Sequence, residues 1–259
     1  MAKPSALVLR AAGINCDMET AHAFEREGAE VERVHVNRLL ERPSLLDDVG
    51  LVAVPGGFSY GDDIAAGKVL AVELSHALGD HFRKFVDRGG LLLGICNGFQ
   101  VLVKTGLLPG ARPDGTPRHA TLTWNDSHRY EDRWVHLSVD PGLCVFAPKG
   151  RELLHLPVAH GEGRFTVADD GLIDELVERH QAVFRYIDTS GATPEYPENP
   201  NGSMGHVAGI CDPTGQVLGL MPHPERALFP WHHPAWTREP KRDEGDGASL
   251  FRAAVQAMR

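Results

Sequence analysis

Leu91-Leu92-Leu93-Gly94-Ile95-Cys96-Asn97-Gly98-Phe99-Gln100 is an apolar run that ends in a cysteine with a glycine two residues to either side. Three consecutive leucines followed by this G-x-C-x-G spacing predict a strand that turns sharply into a helix, with Cys96 at the apex. The arrangement is the thiol form of a nucleophile elbow: the glycines leave room for the tight turn, and the turn lifts the side chain above the sheet edge. The helix that follows directs its free backbone N–H groups and the positive end of its dipole toward the sulfur, which favours thiolate. A buried cysteine in an ordinary strand-to-helix turn reads equally well from the pentapeptide alone.

The rest of the chain bounds the setting of that turn. It has 259 residues, 42% of them hydrophobic and 24% charged, which is enough for one large α/β domain. The expected organisation is a single domain over 1–259, with 228–247 as a surface excursion before a C-terminal helix. The formal net charge is -9 and the basic residues are scattered, which argues against a nucleic-acid or anionic-membrane surface. No uninterrupted apolar run of membrane-spanning length and no basic-then-apolar leader is read, so a cytoplasmic location is expected. Four cysteines without a C-x-x-C pair indicate neither a disulfide framework nor a zinc knuckle, and no metal site is expected. The adjacent His232 and His233 lack a third ligand at metal spacing.

Upstream of the elbow, residues 6–10, 31–36 and 51–54 read as strands and 17–28 as a helix. This strand–helix–strand rhythm predicts a mostly parallel central sheet with functional loops at the carboxyl ends of its strands. Pro55-Gly56-Gly57-Phe58-Ser59-Tyr60-Gly61-Asp62 follows the third strand and shares an end of the sheet with Cys96. Its glycines allow a backbone N–H to point into a cleft, as an oxyanion hole requires, and a plain Gly-rich turn is the other reading. Asp62 and Asp63 are expected to be solvated turn charges.

Residues 69–88 form an amphipathic helix, and 112–165 switch to alternating runs that predict an antiparallel elaboration. His160 in the HGEG run at 160–163 closes the last of these runs. A hairpin at 207–220 then delivers Met221-Pro222-His223-Pro224-Glu225-Arg226. A residue before proline is held extended, and in an extended segment residues two apart share a side, so His223 and Glu225 are expected to project together. Histidine with a neighbouring carboxylate is the base and orienter that a thiol nucleophile needs.

GINCD at 13–17, PGGFSYGD at 55–62, GICNGFQVLVKTGLLPGA at 94–111, PVAHGEGRF at 157–165, NPNGS at 199–203 and GLMPHPERA at 219–227 together resemble the glutaminase subunits of phosphoribosylformylglycinamidine synthase, which are class I (triad) glutamine amidotransferases. The resemblance runs from about Ala6 to Ala227. It implies a flavodoxin-like class I glutamine amidotransferase fold, with Cys96 as the nucleophile toward L-glutamine, His223 as base and acid, and Glu225 as its partner. It further implies an oxyanion hole from the N–H groups of Gly57 and Asn97 beside Gly56, a glutamine pocket that includes Phe58 and Gln100, and a cleft wall at His160.

The implied reaction supplies ammonia to a separate synthetase subunit, with a small accessory subunit as a further partner. ATP and magnesium are implied on the synthetase, and no cofactor on this chain, which has no phosphate loop of the Walker type. Low activity without the partner is expected. Ala12 and Ile14 depart from the proline and the serine or threonine usual in the family's first turn. Two other readings share the elbow: a stand-alone γ-glutamyl thiol hydrolase and a non-catalytic assembly subunit.

Overall fold

The computed structural model describes residues 3–259. The elbow strand, β4 (Leu91–Ile95), is buried along its whole length, as a continuous apolar run with helices on both faces should be. Its neighbours are β3 (Leu51–Val54) on one side and β11 (Val217–Leu220) on the other, both equally buried and both parallel to it. Beyond β3 lie β1 (Ser5–Arg10) and β2 (Glu30–His35), again parallel. The order β2-β1-β3-β4-β11 therefore gathers the carboxyl ends of five parallel strands on one side of the sheet. GINCD leaves β1 there, PGGFSYGD leaves β3, Cys96 leaves β4 and MPHPER leaves β11. Loops from the carboxyl ends of adjacent parallel strands meet over the sheet, which is why residues distant in sequence converge.

The antiparallel elaboration extends the same sheet. β10 (Val207–Cys211), β9 (Phe184–Ile187), β6 (Glu131–Val139) and β7 (Leu153–His160) continue it in the order β11-β10-β9-β6-β7, each antiparallel to the last. β5 (Ala120–Thr123) and β8 (Arg164–Val167) form a separate two-stranded ribbon. β7 alternates buried and partly exposed residues, the pattern of a strand with one face on the core.

Helix α1 (Asp17–Arg26) links β1 to β2, and α3 (Lys68–Asp87) buries Leu70, Leu74, Leu78, Phe82 and Phe85 at helical spacing. α4 (Asn97–Lys104) has seven of its eight residues buried because it lies between the sheet and the β5–β8 ribbon. α5 (Gly171–Glu178) and α6 (Ala248–Ala257) cover the remaining apolar surface with Leu172, Leu176, Leu250 and Phe251.

Two short elements escape the sequence reading. α2 (Val36–Glu41) begins where a β-branched residue suggests strand, and the His35 side chain caps it by accepting the Asn37 amide at 3.2 Å. β8 is only four residues long and is held by its pairing with β5. The excursion at 228–247 is tied back by main-chain bonds, Gly245 N to Leu228 O at 3.0 Å and Gly247 N to Ala227 O at 2.9 Å.

Candidate active site

Cys96 sits between β4 and α4 with φ 52° and ψ -106°, a conformation costly for a non-glycine residue and typical of sites where strain positions a reactive group. The flanking glycines are sterically required. A Cβ on Gly98 would collide with the Val54 carbonyl, and one on Gly94 would come within 2.6 Å of the Gly98 oxygen. The turn is fixed from below, since the Cys96 amide donates to Leu220 O at 2.8 Å and its carbonyl accepts from Gln100 N at 3.1 Å. Its sulfur lies 3.7 Å from the Ala159 carbonyl and is nearly enclosed.

His223 is buried, and its amide donates to Pro157 O at 2.8 Å, which registers the base against β7. Its Nδ1 is 2.5 Å from Glu225 Oε1. The geometry that brings these two together differs from the extended segment expected: Pro224–Arg226 is a single 3-10 turn, and His223 is its cap. Pro224 still excludes the helical region for His223, but the turn folds the carboxylate back onto the ring instead of projecting it alongside. Nε2, the other ring nitrogen, is buried and has no hydrogen-bond partner among the described residues. Burial alone would lower the pKa of His223; the charges of Glu225 and then Cys96 outweigh it and raise the value well above that of a free imidazole.

The oxyanion loop meets both groups. A Cβ on Gly56 would lie 2.8 Å from His223 Cε1 and 3.5 Å from Cys96 Cβ, so the loop passes in contact with base and nucleophile. Gly57, at φ 142°, is bridged to Ile14. The bridge uses the amides of Asn15 and Phe58 and leaves out that of Gly57. Asn97, the first residue of α4, fixes the loop with its side chain: Oδ1 accepts the Ser59 amide at 3.2 Å, and Nδ2 donates to Asp62 Oδ1 at 3.1 Å and Gln100 Oε1 at 3.0 Å. Asp62 is therefore a structural acceptor rather than a solvated turn charge, and burial raises its pKa.

A cleft of about 630 Å³ opens over Cys96. Gly57, Phe58, Gln100, Tyr130, His160 and Glu162 are among its walls. Phe58 is half exposed and stacks on Tyr130 with ring centroids 6.4 Å apart. Gln100 is buried with its Nε2 donating to Glu162 O at 2.5 Å, which joins α4 to the HGEG turn.

His160 belongs to a polar network under the cleft wall. Its Nδ1 is 3.1 Å from Asn125 Oδ1 and its Nε2 3.5 Å from Asn201 Nδ2. Asn125 Oδ1 also accepts the Gly163 amide, and Asn201 Nδ2 donates to Gly163 O. Burial, with a smaller contribution from the charge of His223, pushes the His160 pKa down to about 3. The ring is thus neutral and committed to its amide partners, and NPNGS acts as the scaffold of the HGEG turn.

Several site residues were not singled out in the sequence. Tyr130 is on the cleft wall, Asn125 pins His160, and Cys16 touches the base turn from below. The sequence places Asn125 at the end of an alternating run, whereas the structure ends β5 at Thr123 and leaves Asn125 and Tyr130 in the irregular stretch before β6. A cysteine-histidine-glutamate grouping within metal-ligand reach exists at Cys16, His223 and Glu225, all buried. His233 pairs with His155 (Nε2 to Nδ1, 2.6 Å) instead of with His232.

With this geometry in hand, the comparisons are specific. The model of the CobB/CobQ-like glutamine amidotransferase domain matches residues 3–257. A phosphoribosylformylglycinamidine synthase subunit PurQ of Dehalococcoides mccartyi is 47% identical over 261 residues, covering 100% of this chain and 99% of that protein. One of Methanococcus maripaludis is 46% identical over 235 residues, 90% of this chain and 87% of its own length. Among solved structures, a chain of PurLQS from Thermotoga maritima superposes with a TM-score of 0.74 at 32% identity, with full coverage of both chains. A glutamine amidotransferase of Thermotoga maritima, at 17% identity and a TM-score of 0.58 over 100% of this chain and 99% of its own, shares the fold. The chain belongs to the CobB/CobQ-like glutamine amidotransferase family, and within it to the PurQ subunits of phosphoribosylformylglycinamidine synthase.

Proposed function

We propose that this chain is the glutaminase subunit of a phosphoribosylformylglycinamidine synthase, with Cys96, His223 and Glu225 as its catalytic triad. The observation that carries the reading is a buried imidazole bonded to Glu225 through Nδ1 at 2.5 Å, its Nε2 free, beside a cysteine on a strained elbow. The Cys96 thiolate attacks the glutamine side-chain carbon, and the oxyanion is met by the Gly57 and Asn97 amides. His223 gives its proton to the departing nitrogen, and the C–N bond breaks to release ammonia and leave a γ-glutamyl thioester on Cys96. His223 then takes a proton from water as that water attacks the thioester and the C–S bond breaks, releasing glutamate and restoring the thiolate beside the protonated imidazole. Phe58, Gln100 and the His160 wall shape the pocket for the amino acid.

Ammonia passes to a synthetase subunit that carries ATP and magnesium, in an assembly with a small accessory subunit, to convert formylglycinamide ribonucleotide to its amidine. The relatives, subunits of phosphoribosylformylglycinamidine synthase, and the PurLQS structure support the partnership. Among the described residues no helix is long and apolar enough to cross a membrane, and we place the enzyme in the cytoplasm as a single domain. Met1 and Ala2, included in that domain, lie outside the described residues.

The test is glutamine-dependent amidine formation by the complete complex, wild type against Cys96→Ala. The variant is expected to lose the glutamine reaction by at least about a thousandfold while added ammonium still supports synthesis. Retention of glutamine-dependent synthesis by Cys96→Ala would sink the proposal. Full glutaminase activity in the isolated chain, without stimulation by the synthetase, would favour a stand-alone hydrolase.

A further inference from the structure

The glutaminase reaction leaves one adjacent thiol unused. Cys16 caps the start of α1 and is fully buried. Its Sγ accepts a hydrogen bond from Arg226 Nη2 at 3.0 Å, and the thiol donates to Asn15 Oδ1 at 3.3 Å. Its main chain is engaged at both ends: the amide donates to Gly56 O at 3.3 Å, and the carbonyl accepts the Thr20 hydroxyl at 2.6 Å. A Cβ on Gly56 would come within 3.2 Å of this sulfur and 2.8 Å of His223 Cε1, so thiol, oxyanion loop and imidazole form one packed cluster.

Two chemistries fit such a cluster. Cys16, His223 and Glu225 each bring a donor atom within 4.8 Å of the others, which is a metal-ligand grouping. The Arg226 guanidinium, however, already occupies the sulfur and adds a fixed positive charge where a cation would sit, and imidazole and carboxylate are committed to each other. The remaining chemistry is mechanical. Arg226 belongs to the same 3-10 turn as Glu225, and its amide donates to the His223 carbonyl at 3.2 Å. Holding the guanidinium therefore holds the turn that sets the pose of the carboxylate and the imidazole. Among the described residues the cluster has no other thiol or hydroxyl that accepts from Arg226 while its own amide grips Gly56.

We propose that Cys16 is a positioning residue for the glutaminase reaction: its thiol holds Arg226, and with it the His223–Glu225 turn, in register with the oxyanion loop. The inference rests on Cys96 and His223 being nucleophile and base. A group that both accepts from a guanidinium and donates to an amide oxygen is needed at this position; serine supplies both functions on a shorter bond, and alanine supplies neither.

The test is steady-state glutaminase kinetics of the complete complex for Cys16→Ala, Cys16→Ser, Arg226→Gln and the Cys16→Ala/Arg226→Gln double variant, with Cys96→Ala alongside. Misplacing a base by about 1 Å costs on the order of a hundredfold. Cys16→Ala is therefore expected to lower kcat by about ten- to a hundredfold with KM for glutamine changed by less than about twofold. Cys16→Ser should recover kcat to within about fivefold of wild type, and the double variant should be no worse than the poorer single one. A wild-type kcat in Cys16→Ala, no rescue by serine, or losses that multiply in the double variant would each overturn the proposal. Should Cys16→Ala not fold, wild-type kcat in Arg226→Gln would overturn it instead. Loss of the reaction in Cys96→Ala with no effect at Cys16 overturns this inference alone, whereas activity in Cys96→Ala overturns the reading on which it stands.

Discussion

Two histidines within one strand-end of each other are driven in opposite directions by their surroundings. His223 is as buried as His160, but it faces a carboxylate at 2.5 Å, whereas His160 faces only amides. Burial disfavours the cation in both, and only at His223 does a neighbouring charge reverse the outcome. A histidine with a raised folded pKa contributes stability that is present below its unfolded value of 6.5 and is lost as pH rises through the folded value. Glu225→Gln should therefore be most destabilising, relative to wild type, below pH 6.5, and the gap in Tm should close at alkaline pH. The same change lowers the proton affinity of the imidazole, so the alkaline limb of glutaminase kcat/KM should move to lower pH; an unmoved limb would assign it to another group. His160 carries the other sign. Its stabilising neutral form is present above pH 6.5 and is lost as pH falls toward about 3, a cost of about 2 kcal/mol by pH 5. His160→Gln, which keeps a neutral polar side chain, should show a shallower fall of Tm between pH 6.5 and 4 than wild type. The identities of His223 and Glu225 were legible because Pro222 and Pro224 frame the histidine and the glutamate follows directly. The neutral state of His160 was not, since it depends on burial in the folded chain, where Asn125 and, over forty residues away in a proline-bounded loop, Asn201 close around the ring.

At the level of elements, the catalytic geometry depends on how closely α4 crosses β3. Gly98 faces the Val54 carbonyl with no room for a methyl group, and both partners are main chain, so neither can yield by changing rotamer. Gly98→Ala should lift α4 from the sheet and cost upward of about 3 kcal/mol in chemical denaturation. Gly89 offers the contrast: it has φ 95° and open space around its Cβ position, so Gly89→Ala should cost only about 1 kcal/mol, the price of the backbone conformation alone. Equal losses at the two positions would refute the close-crossing account. This same constraint is what made the sharp turn readable, because glycines two residues either side of a strand-ending cysteine leave room for it, while the catalytic reading of the turn came from His223 and Glu225 downstream. The parallel half of the sheet was readable for a related reason: β3, β4 and β11 are buried on both faces and appear as short unbroken apolar runs. The placement of β6 and β7 beyond β9 was hidden, since an alternating strand shows which face is buried and nothing about which edge it joins. The turn at Pro224–Arg226 was hidden as well, because proline permits both an extended entry and a tight turn after it.

Across the whole molecule, one carboxylate joins regions that the sequence separates by nearly a hundred residues. Asp246, at the end of the excursion and nearly buried, accepts the His155 amide of β7 at 2.8 Å, Arg151 Nη1 at 2.8 Å and Arg242 Nη1 at 3.1 Å. Glu244 adds an acceptor for Arg151 at 3.3 Å, and α6 starts immediately afterwards with Ser249 Oγ donating to Asp246 O at 2.6 Å. The 228–247 segment is therefore clamped between the edge strand β7 and the last helix, and this polar, directional clamp adds to the apolar anchoring of Leu228 and Phe229 at its start. Removing the carboxylate leaves a buried amide unsatisfied and two guanidinium groups short of a partner, which together cost about 2–4 kcal/mol. Asp246→Ala should lower the denaturation midpoint accordingly and open the segment to limited proteolysis, with the first cuts falling between 228 and 247. The catalytic groups are held by a different set of bonds, His223 N to Pro157 O and Cys96 N to Leu220 O, neither of which passes through Asp246. Glutaminase kcat of the folded variant in its complex should therefore stay within about twofold of wild type at 25 °C. A kcat loss of tenfold or more without a change in midpoint would mean that the clamp transmits to the catalytic turn through Ala227, whose carbonyl accepts the Gly247 amide at 2.9 Å one residue beyond Arg226.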